Sequence, residues 1–238
     1  MNSINEFREI IGHLKNLIIA NMDIGLDSSV LSQSYRQQLQ EAQSPPTALE
    51  DLKRFVGDCR RCKLWRDRKK LVFGEGSPHA RLVFIGEGPG REEDLQGRPF
   101  VGEAGRLLTK IIEKGMGLKR EEVYICNVVK CRPPNNRDPE KDEIDTCIPF
   151  LKQQIKIIRP EIICVLGRIA GQELIGRDFR ITQARGKWHS FMGIPLMPTY
   201  HPAYILRNPS NERKLKSQVW KDIQLIMARL DLEVKRNG

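Results

Sequence analysis

The chain has 238 residues, of which 39% are apolar and 29% charged. This composition suits one ordinary globular domain with some additional sequence, and it excludes disordered, collagen-like and coiled-coil chains. Lys and Arg outnumber Asp and Glu by 40 to 30, but residues 1–50 carry a net charge of −3 and residues 51–238 carry +13. Such a surplus on one domain favours contact with a polyanion such as nucleic acid over an unspecific basic surface.

No stretch approaches the ~18 consecutive apolar residues that a membrane span needs. Glu6 and Glu9 stand where a signal peptide would be basic. We therefore expect a cytoplasmic protein without membrane contact. Its six cysteines should then be reduced, so their spacing points to metal or redox chemistry before disulfides.

Residues 3–19 place apolar side chains three and four positions apart, which predicts an amphipathic helix that packs on the domain or on a partner protein. Residues 23–46 are rich in Ser and Gln and end in Ser44-Pro45-Pro46, a pattern typical of a flexible linker. The sequence thus divides into an N-terminal helix and linker, residues 1–46, and one domain, residues 47–238.

Short, continuous apolar runs alternate with helical patterns through the domain. Continuous apolar strands are buried on both faces, so they predict an α/β fold with a mostly parallel sheet of about four strands in a three-layer α/β/α arrangement. The predicted strands are 81–85, 123–129, 161–166 and 194–198, and the main predicted helices are 103–115, 139–158, 168–175 and 211–230. Ligands of such folds bind beyond the carboxyl ends of the strands.

Four cysteines lie outside the predicted strands, namely Cys59 and Cys62 as a C-x-x-C pair, Cys131 after a strand, and Cys147 in a helix. Thiolates in this pattern predict a metal centre, and spacing alone slightly favours a four-cysteine zinc site over an iron–sulfur cluster. The other two cysteines, within strands, are predicted to be small core residues.

The loop after the first long strand, Gly86-Glu-Gly-Pro-Gly90, fails the dinucleotide pattern G-x-G-x-x-G, and the chain has no Walker A loop. Acidic residues in this loop and directly after it, Glu87 and Glu93 among them, instead indicate a site that handles a neutral ring or activates water. Phe100 is either a core plug or a stacking face for a base. His201 follows the last strand, where it is either a core histidine or a catalytic one.

Four motifs in this order resemble the family 4 uracil-DNA glycosylases, which carry an iron–sulfur cluster. The motifs are Gly86-Glu-Gly-Pro-Gly90, Gly97-Arg-Pro-Phe-Val-Gly102, Asn127-Val-Val-Lys-Cys-Arg-Pro-Pro134 and His201-Pro-Ala-Tyr-Ile-Leu-Arg-Asn-Pro209. The resemblance covers about residues 55–230. It implies a uracil-DNA glycosylase fold and one [4Fe–4S] cluster held by Cys59, Cys62, Cys131 and Cys147, in place of zinc.

The resemblance also implies roles for single residues on uracil flipped out of DNA. Phe100 would stack on the ring, and the Asn127 amide would bond its O4 and N3–H. His201, with backbone N–H groups near Gly88, would stabilise negative charge on the departing O2. Hydrolysis would leave an abasic site.

The acid that positions the attacking water is left open between Glu87 and Glu93, because Gly88 occupies the place where better-known relatives have an aspartate. Leu206 and Arg207 are expected to wedge into the duplex. Residues 131–138 lack the histidine of a covalent uracil-binding branch, which favours turnover over trapping. We expect a monomer acting on uracil in single- and double-stranded DNA. The rival hypotheses are a non-catalytic iron–sulfur DNA-binding module and, less favoured, a nucleotide-dependent enzyme.

Overall fold

The computed structural model describes residues 48–232. The amphipathic helix and linker predicted for residues 1–46 lie outside the described residues, so their predicted structure and any partner they bind stay predictions. Within residues 48–232, no helix is long and apolar enough to cross a membrane.

A six-stranded sheet forms the centre of the domain, in the order β1-β3-β2-β4-β6-β5. The four inner strands run parallel, and both edge strands run antiparallel to their neighbours. The strands are β1 (Glu75–Gly76), β2 (Leu82–Gly86), β3 (Tyr124–Asn127), β4 (Ile162–Leu166), β5 (His189–Phe191) and β6 (Ile194–Thr199).

The four strands predicted from apolar runs are confirmed as β2, β3, β4 and β6, which pair in parallel. Three of them, β2, β3 and β4, are buried at every position, as continuous apolar runs predict. The two edge strands are additions to the predicted sheet. They have two and three residues, and their side chains are partly exposed. Strands this short carry no periodic apolar signal, so only pairing with a neighbour defines them.

Helices cover both faces of the sheet. They are α1 (Leu49–Val56), α2 (Arg91–Gln96), α3 (Glu103–Lys110), α4 (Lys141–Ile158), α5 (Arg168–Leu174), α6 (Ile181–Ala184), α7 (Pro202–Leu206) and α8 (Glu212–Arg229). A π-helical segment, Ile111–Met116, continues α3, so the predicted helix over 103–115 exists with a change of hydrogen bonding near its middle.

Alternate residues of each strand face opposite sides of the sheet and build two separate cores. In β2, Val83 and Ile85 pack with apolar residues of α1, α4 and α5. Leu82 and Phe84 pack on the other side with residues of α3, α7 and α8. The three-layer α/β/α prediction is therefore confirmed. Because β2, β3, β4 and β6 are parallel, their carboxyl ends meet at one edge and bring their following loops together.

Candidate active site

A cavity of about 480 Å³ opens at the carboxyl ends of the parallel strands. The loops after β2, β3, β4 and β6 all contribute to its wall, as expected for this fold class. Of the site residues predicted from sequence, it brings together Glu87, Gly88, Glu93, Phe100, Asn127, His201 and Arg207.

Asn127 ends β3 at the floor of this cavity and is only 1% exposed. Its Oδ1 is the one buried side-chain N or O atom among residues 48–232 that lacks a hydrogen-bond partner. Gly86 makes the close approach possible, since a Cβ there would lie 2.5 Å from Asn127 Oδ1 and 2.6 Å from Phe100 Cζ. The floor therefore presents an acceptor that a bound ligand would have to satisfy.

Phe100 forms the adjacent wall in a left-handed backbone conformation, with φ of 51°. A non-glycine residue holds that conformation only where its surroundings enforce it. Gly105 of α3 helps to enforce it, because a Cβ there would lie 1.9 Å from the Phe100 carbonyl oxygen. The Phe100 ring lies 5.5 Å from the His201 ring, at an interplanar angle of 31°. Its face is thereby fixed beside the open cavity.

His201 immediately precedes α7 and acts as its N-cap. Its Nδ1 accepts a hydrogen bond of 3.1 Å from the backbone N–H of Ala203. Because Nδ1 is an acceptor, the neutral ring carries its proton on Nε2. Burial, with a smaller effect of Arg207, lowers the pKa of His201 to about 4. The site thus holds a neutral imidazole whose Nε2–H is available as a donor.

Glu87 lies in the loop after β2, where burial raises the pKa of its carboxyl to about 7. The nearby Asp138 carboxylate raises that pKa as well, whereas Arg168 and Arg207 oppose the shift. A carboxyl poised near neutral pH can act as a base toward a water molecule.

Glu93 has a different environment, although it also lines the cavity. Its Oε1 accepts hydrogen bonds of 2.9 Å from the backbone N–H groups of both Val101 and Gly102. These bonds hold the turn that follows Phe100 and precedes α3. Glu93 is therefore engaged in positioning the Phe100 loop. Of the two candidate acids, Glu87 is the one whose carboxyl is not held by these backbone N–H groups.

The segment after His201 carries the predicted duplex wedge. Arg207 is exposed and reaches the cavity wall, while Leu206 is half-buried and lies outside the lining. Tyr204, which is 42% exposed, lines the rim and stacks on Tyr200 with ring centroids 5.3 Å apart. The largest exposed apolar surface of this segment thus belongs to Tyr204.

Among the lining residues that sequence reasoning did not single out are Asp138, Arg168, Tyr200 and Tyr204. Asp138 and Arg168 form an ion pair of 2.5 Å on its wall, and Tyr200 and Tyr204 form its rim. Arg168 directly follows Gly167 at the carboxyl end of β4, so the rule that ligands bind beyond strand ends was the signal that could have found it.

The four cysteines predicted as metal ligands are free thiols that lie close enough to influence one another electrostatically. Burial first, and then the neighbouring thiols, raise the pKa of Cys131 to about 11. Burial chiefly raises the pKa of Cys147 to about 12, with Cys131 and Cys62 contributing. Two buried and two half-buried thiols in one region are a donor set suited to a metal centre.

Each of these sulfurs accepts a hydrogen bond, and that of Cys62 comes from the Leu64 backbone N–H. Cys59 Sγ accepts from Arg61 Nη1 at 3.2 Å, Cys131 Sγ from Arg68 Nη1 at 3.2 Å, and Cys147 Sγ from the Lys130 backbone N–H at 3.3 Å. Donors and positive charge of this kind stabilise thiolate ligands. Among residues 48–232, no group of three or more His, Cys, Asp or Glu is arranged to hold a single metal ion.

Comparisons with known proteins converge on one family. A family model described as the uracil DNA glycosylase superfamily matches residues 73–224. The type-4 uracil-DNA glycosylase of Sulfurisphaera tokodaii is 50% identical over 74% of this chain and 84% of its own length. Those of Saccharolobus solfataricus and Thermotoga maritima are 49% and 48% identical, over 68% and 74% of this chain and 78% and 91% of their own lengths.

The raised pKa of Glu87 predicts a cost in stability. When an acid has a higher pKa in the folded state than in the unfolded state, the protein loses stability as pH rises from the unfolded-state pKa through the folded-state pKa. Ionised Glu87 should thus destabilise the protein at pH 8 but not at pH 5. We expect Glu87→Gln to raise the free energy of unfolding by about 2 kcal/mol at pH 8 and to change it little at pH 5.

Urea denaturation at the two pH values measures this difference. Glu92→Gln, which changes an exposed carboxyl on α2, is the matched control and should show no such pH dependence. An equal effect of Glu87→Gln at pH 5 and pH 8 would contradict the prediction.

Proposed function

Because this chain belongs to the uracil-DNA glycosylase superfamily, we propose that its cavity receives a uracil nucleotide flipped out of DNA. The chain is a type-4 uracil-DNA glycosylase, a hydrolase that cuts the N-glycosidic bond and leaves an abasic site in base excision repair. The reacting base must leave the stack, since the bond to be cut is inaccessible within a duplex.

The unpartnered Oδ1 of Asn127 is the observation that carries this proposal. Uracil N3–H would donate to that oxygen, and the Asn127 amide N–H would donate to uracil O4. Cytosine presents a bare N3 and an exocyclic amine at those places, so its binding would leave buried groups unpaired. Phe100 would stack on the base, and Gly86 leaves the space for this close contact.

His201 is proposed to stabilise the leaving group. Cleavage places negative charge on uracil O2. A neutral imidazole with its proton on Nε2 would donate a hydrogen bond to that oxygen. The backbone N–H near Gly88 is proposed as a second donor, because Gly88 lines the same cavity.

Glu87 is proposed to hold and activate the attacking water. Its carboxyl has a pKa near neutrality, so it can accept a proton from the water. The ionised carboxylate would also stabilise the positive charge that develops on the sugar. Glu93 is proposed instead as a positioning residue, since its Oε1 accepts from the two backbone N–H groups that fix the Phe100 turn.

DNA contacts are proposed for the segment after His201. Arg207 would bind a phosphate beside the flipped nucleotide, and Leu206, together with the exposed Tyr204, would fill the space that the base leaves. We propose that the enzyme acts as a cytoplasmic monomer on uracil in single- and double-stranded DNA. The N-terminal amphipathic helix predicted for residues 3–19 is proposed as the contact surface for a protein partner.

A [4Fe–4S] cluster held by Cys59, Cys62, Cys131 and Cys147 is proposed as the cofactor. Tetrahedral zinc, with Zn–S bonds of about 2.3 Å, draws four sulfurs tightly around one ion, whereas a cubane takes sulfurs at its separate corners. Hydrogen bonds to the sulfurs of Cys59, Cys131 and Cys147 support thiolate ligation in this region. When bound, it supplies a structural crosslink between the segment after α1 and the 131–147 region.

Base release is the direct test of the function. The purified chain is incubated with single- and double-stranded oligonucleotides that contain one uracil, without added metal or ATP, and alkali-labile sites are then measured. We expect abasic sites at uracil only, and His201→Ala, which keeps the DNA-binding surface, should release the base more slowly by roughly 10²–10³-fold. DNA binding without base release would identify the non-catalytic iron–sulfur module instead.

The pKa values of the site predict how the rate depends on pH. Glu87 must be ionised, so the single-turnover rate should rise about tenfold per pH unit below about pH 7 and level off above it. His201 is neutral above about pH 4 and should add no step in this range. Glu87→Gln should be slower and flat with pH. A rise that persists in Glu87→Gln but disappears in Glu93→Gln would assign the role to Glu93.

Base reading by Asn127 can be tested with one substitution. Asn127→Asp replaces the donor to uracil O4 with an acceptor, and a protonated carboxyl can satisfy the bare N3 of cytosine. Uracil excision should fall steeply, and slow cytosine release should appear in mismatched or single-stranded sites, where flipping costs least. Both substrates are measured under single turnover. Unchanged uracil excision by folded, cluster-loaded protein would show that another residue reads the base.

The cluster proposal predicts about four irons and four sulfides per chain in anaerobically purified protein. Cys62→Ser should lower iron content and folding stability more than it lowers the rate of the remaining loaded enzyme. Cys164→Ser, which alters a buried β4 cysteine outside the ligand set, is the matched control and should retain iron. One tightly bound zinc and no sulfide would contradict the proposal.

A further inference from the structure

Lys130 is buried to an unusual degree for a lysine. It is 1% exposed and is among the largest fully buried side chains of the described residues. Burial of an ammonium group costs free energy unless hydrogen bonds compensate it. Its Nζ donates to the backbone carbonyl oxygen of Asn127 at 2.8 Å and to Gln154 Oε1 at 2.6 Å. The base-reading residue is therefore one of the two acceptors that bind the ε-amino group.

The second acceptor extends this network into the core. Gln154 of α4 is fully buried, and its Nε2 donates to the Phe73 carbonyl oxygen at 2.9 Å and to the Tyr124 hydroxyl at 3.0 Å. Tyr124 begins β3 and Asn127 ends it. Lys130 and Gln154 thus connect both ends of the base-reading strand to one helix.

The backbone of Lys130 faces the cysteine set. Its N–H donates to Cys147 Sγ at 3.3 Å, its carbonyl accepts from Val72 N–H at 2.8 Å, and the next residue along the chain is Cys131. One residue therefore contacts two of the proposed cluster ligands through its main chain and Asn127 through its side chain.

The chain between Asn127 and Lys130 is also fixed to the catalytic loop. Val128 N–H donates to the Gly86 carbonyl at 2.9 Å, and Val129 N–H donates to the Glu87 carbonyl at 3.0 Å. A shift of Asn127 would therefore move the groups that surround the base, and errors of about 1 Å at a reacting site cost about 10²-fold in rate.

We propose that Lys130 is a positioning residue that fixes Asn127 through its carbonyl oxygen and couples uracil recognition to the cysteine framework. The proposal rests on the base-reading role of Asn127 given under Proposed function. Lys130 does not touch the substrate, so its effect must pass through Asn127. Loss of its ε-amino group should weaken the discrimination of uracil from cytosine while the protein stays folded.

Binding to an uncleavable substrate isolates this effect from the chemistry. The probe is an oligonucleotide with one 2′-fluorodeoxyuridine, compared with the same strand carrying 2′-fluorodeoxycytidine. The dissociation constant for the cytosine strand divided by that for the uracil strand measures discrimination. Lys130→Met should lower this ratio at least tenfold, and Lys130→Arg, which keeps a cation, should restore part of it. Lys152→Met, at an exposed position of α4, is the matched control and should leave the ratio unchanged.

Iron and sulfide per chain are measured on every preparation, because a structural role alone would lower discrimination only as the cluster is lost. A lower ratio at wild-type iron content supports positioning, and a ratio that follows iron content overturns it. If Lys130→Met does not fold, Gln154→Met, which removes the other acceptor, should shift the ratio in the same direction. An unchanged ratio in that variant also overturns the proposal.

A double-mutant cycle separates this proposal from the one on which it rests. If Lys130 acts through Asn127, then Lys130→Met adds nothing to the loss caused by Asn127→Ala. Additive losses overturn the role of Lys130 and leave base reading by Asn127 intact. A normal ratio in Asn127→Ala overturns base reading itself, and the inference about Lys130 with it.

Discussion

A buried acceptor without a donor is the constraint around which this site is organised. An unpaired polar atom in the interior costs free energy, so a folded chain keeps one only where neighbouring contacts leave it no alternative. Asn127 Oδ1 is in that position because Gly86 admits it beside Phe100, and the left-handed turn at Phe100 is held in turn by Gly105 and Glu93. In the proposed function, the N3–H of a bound uracil would complete the hydrogen bonding of this oxygen.

Desolvation shifts the pKa values of Glu87 and His201, two of the titratable groups in the cavity, in opposite directions. Burial disfavours the ionised form of each, so it raises the pKa of Glu87 to about 7 and lowers that of His201 to about 4. The histidine is therefore a neutral donor at physiological pH. The carboxyl ionises near neutrality, where the gain in reactivity is offset by the cost of holding a charge in a partly buried site.

The cysteine region is joined to this site by side chains rather than by sequence proximity alone. Arg61 and Arg68 supply positive charge to Cys59 and Cys131, while Lys130 lies between Cys147 and Asn127. A rigid anchor for the loop after β3 follows from these contacts. Such an anchor suits a strand end whose last side chain must be placed accurately for base recognition.

Local patterns in the sequence were enough for the parallel strands, the three layers and four of the residues that line the cavity, namely Glu87, Glu93, Phe100 and His201. Burial of strands and the position of loops after them are short-range properties. Gly88, Asn127 and Arg207 were predicted only through the family resemblance. Tertiary contacts decided what those residues do. Glu93 and Glu87 look alike in the sequence, yet only the fold brings Glu93 to the N–H groups of Val101 and Gly102. The burial of Lys130 depends on Gln154, 24 positions away, and the edge strands exist only through pairing. Periodicity records which face of an element is apolar, but hydrogen bonds between distant residues are determined only when the elements pack.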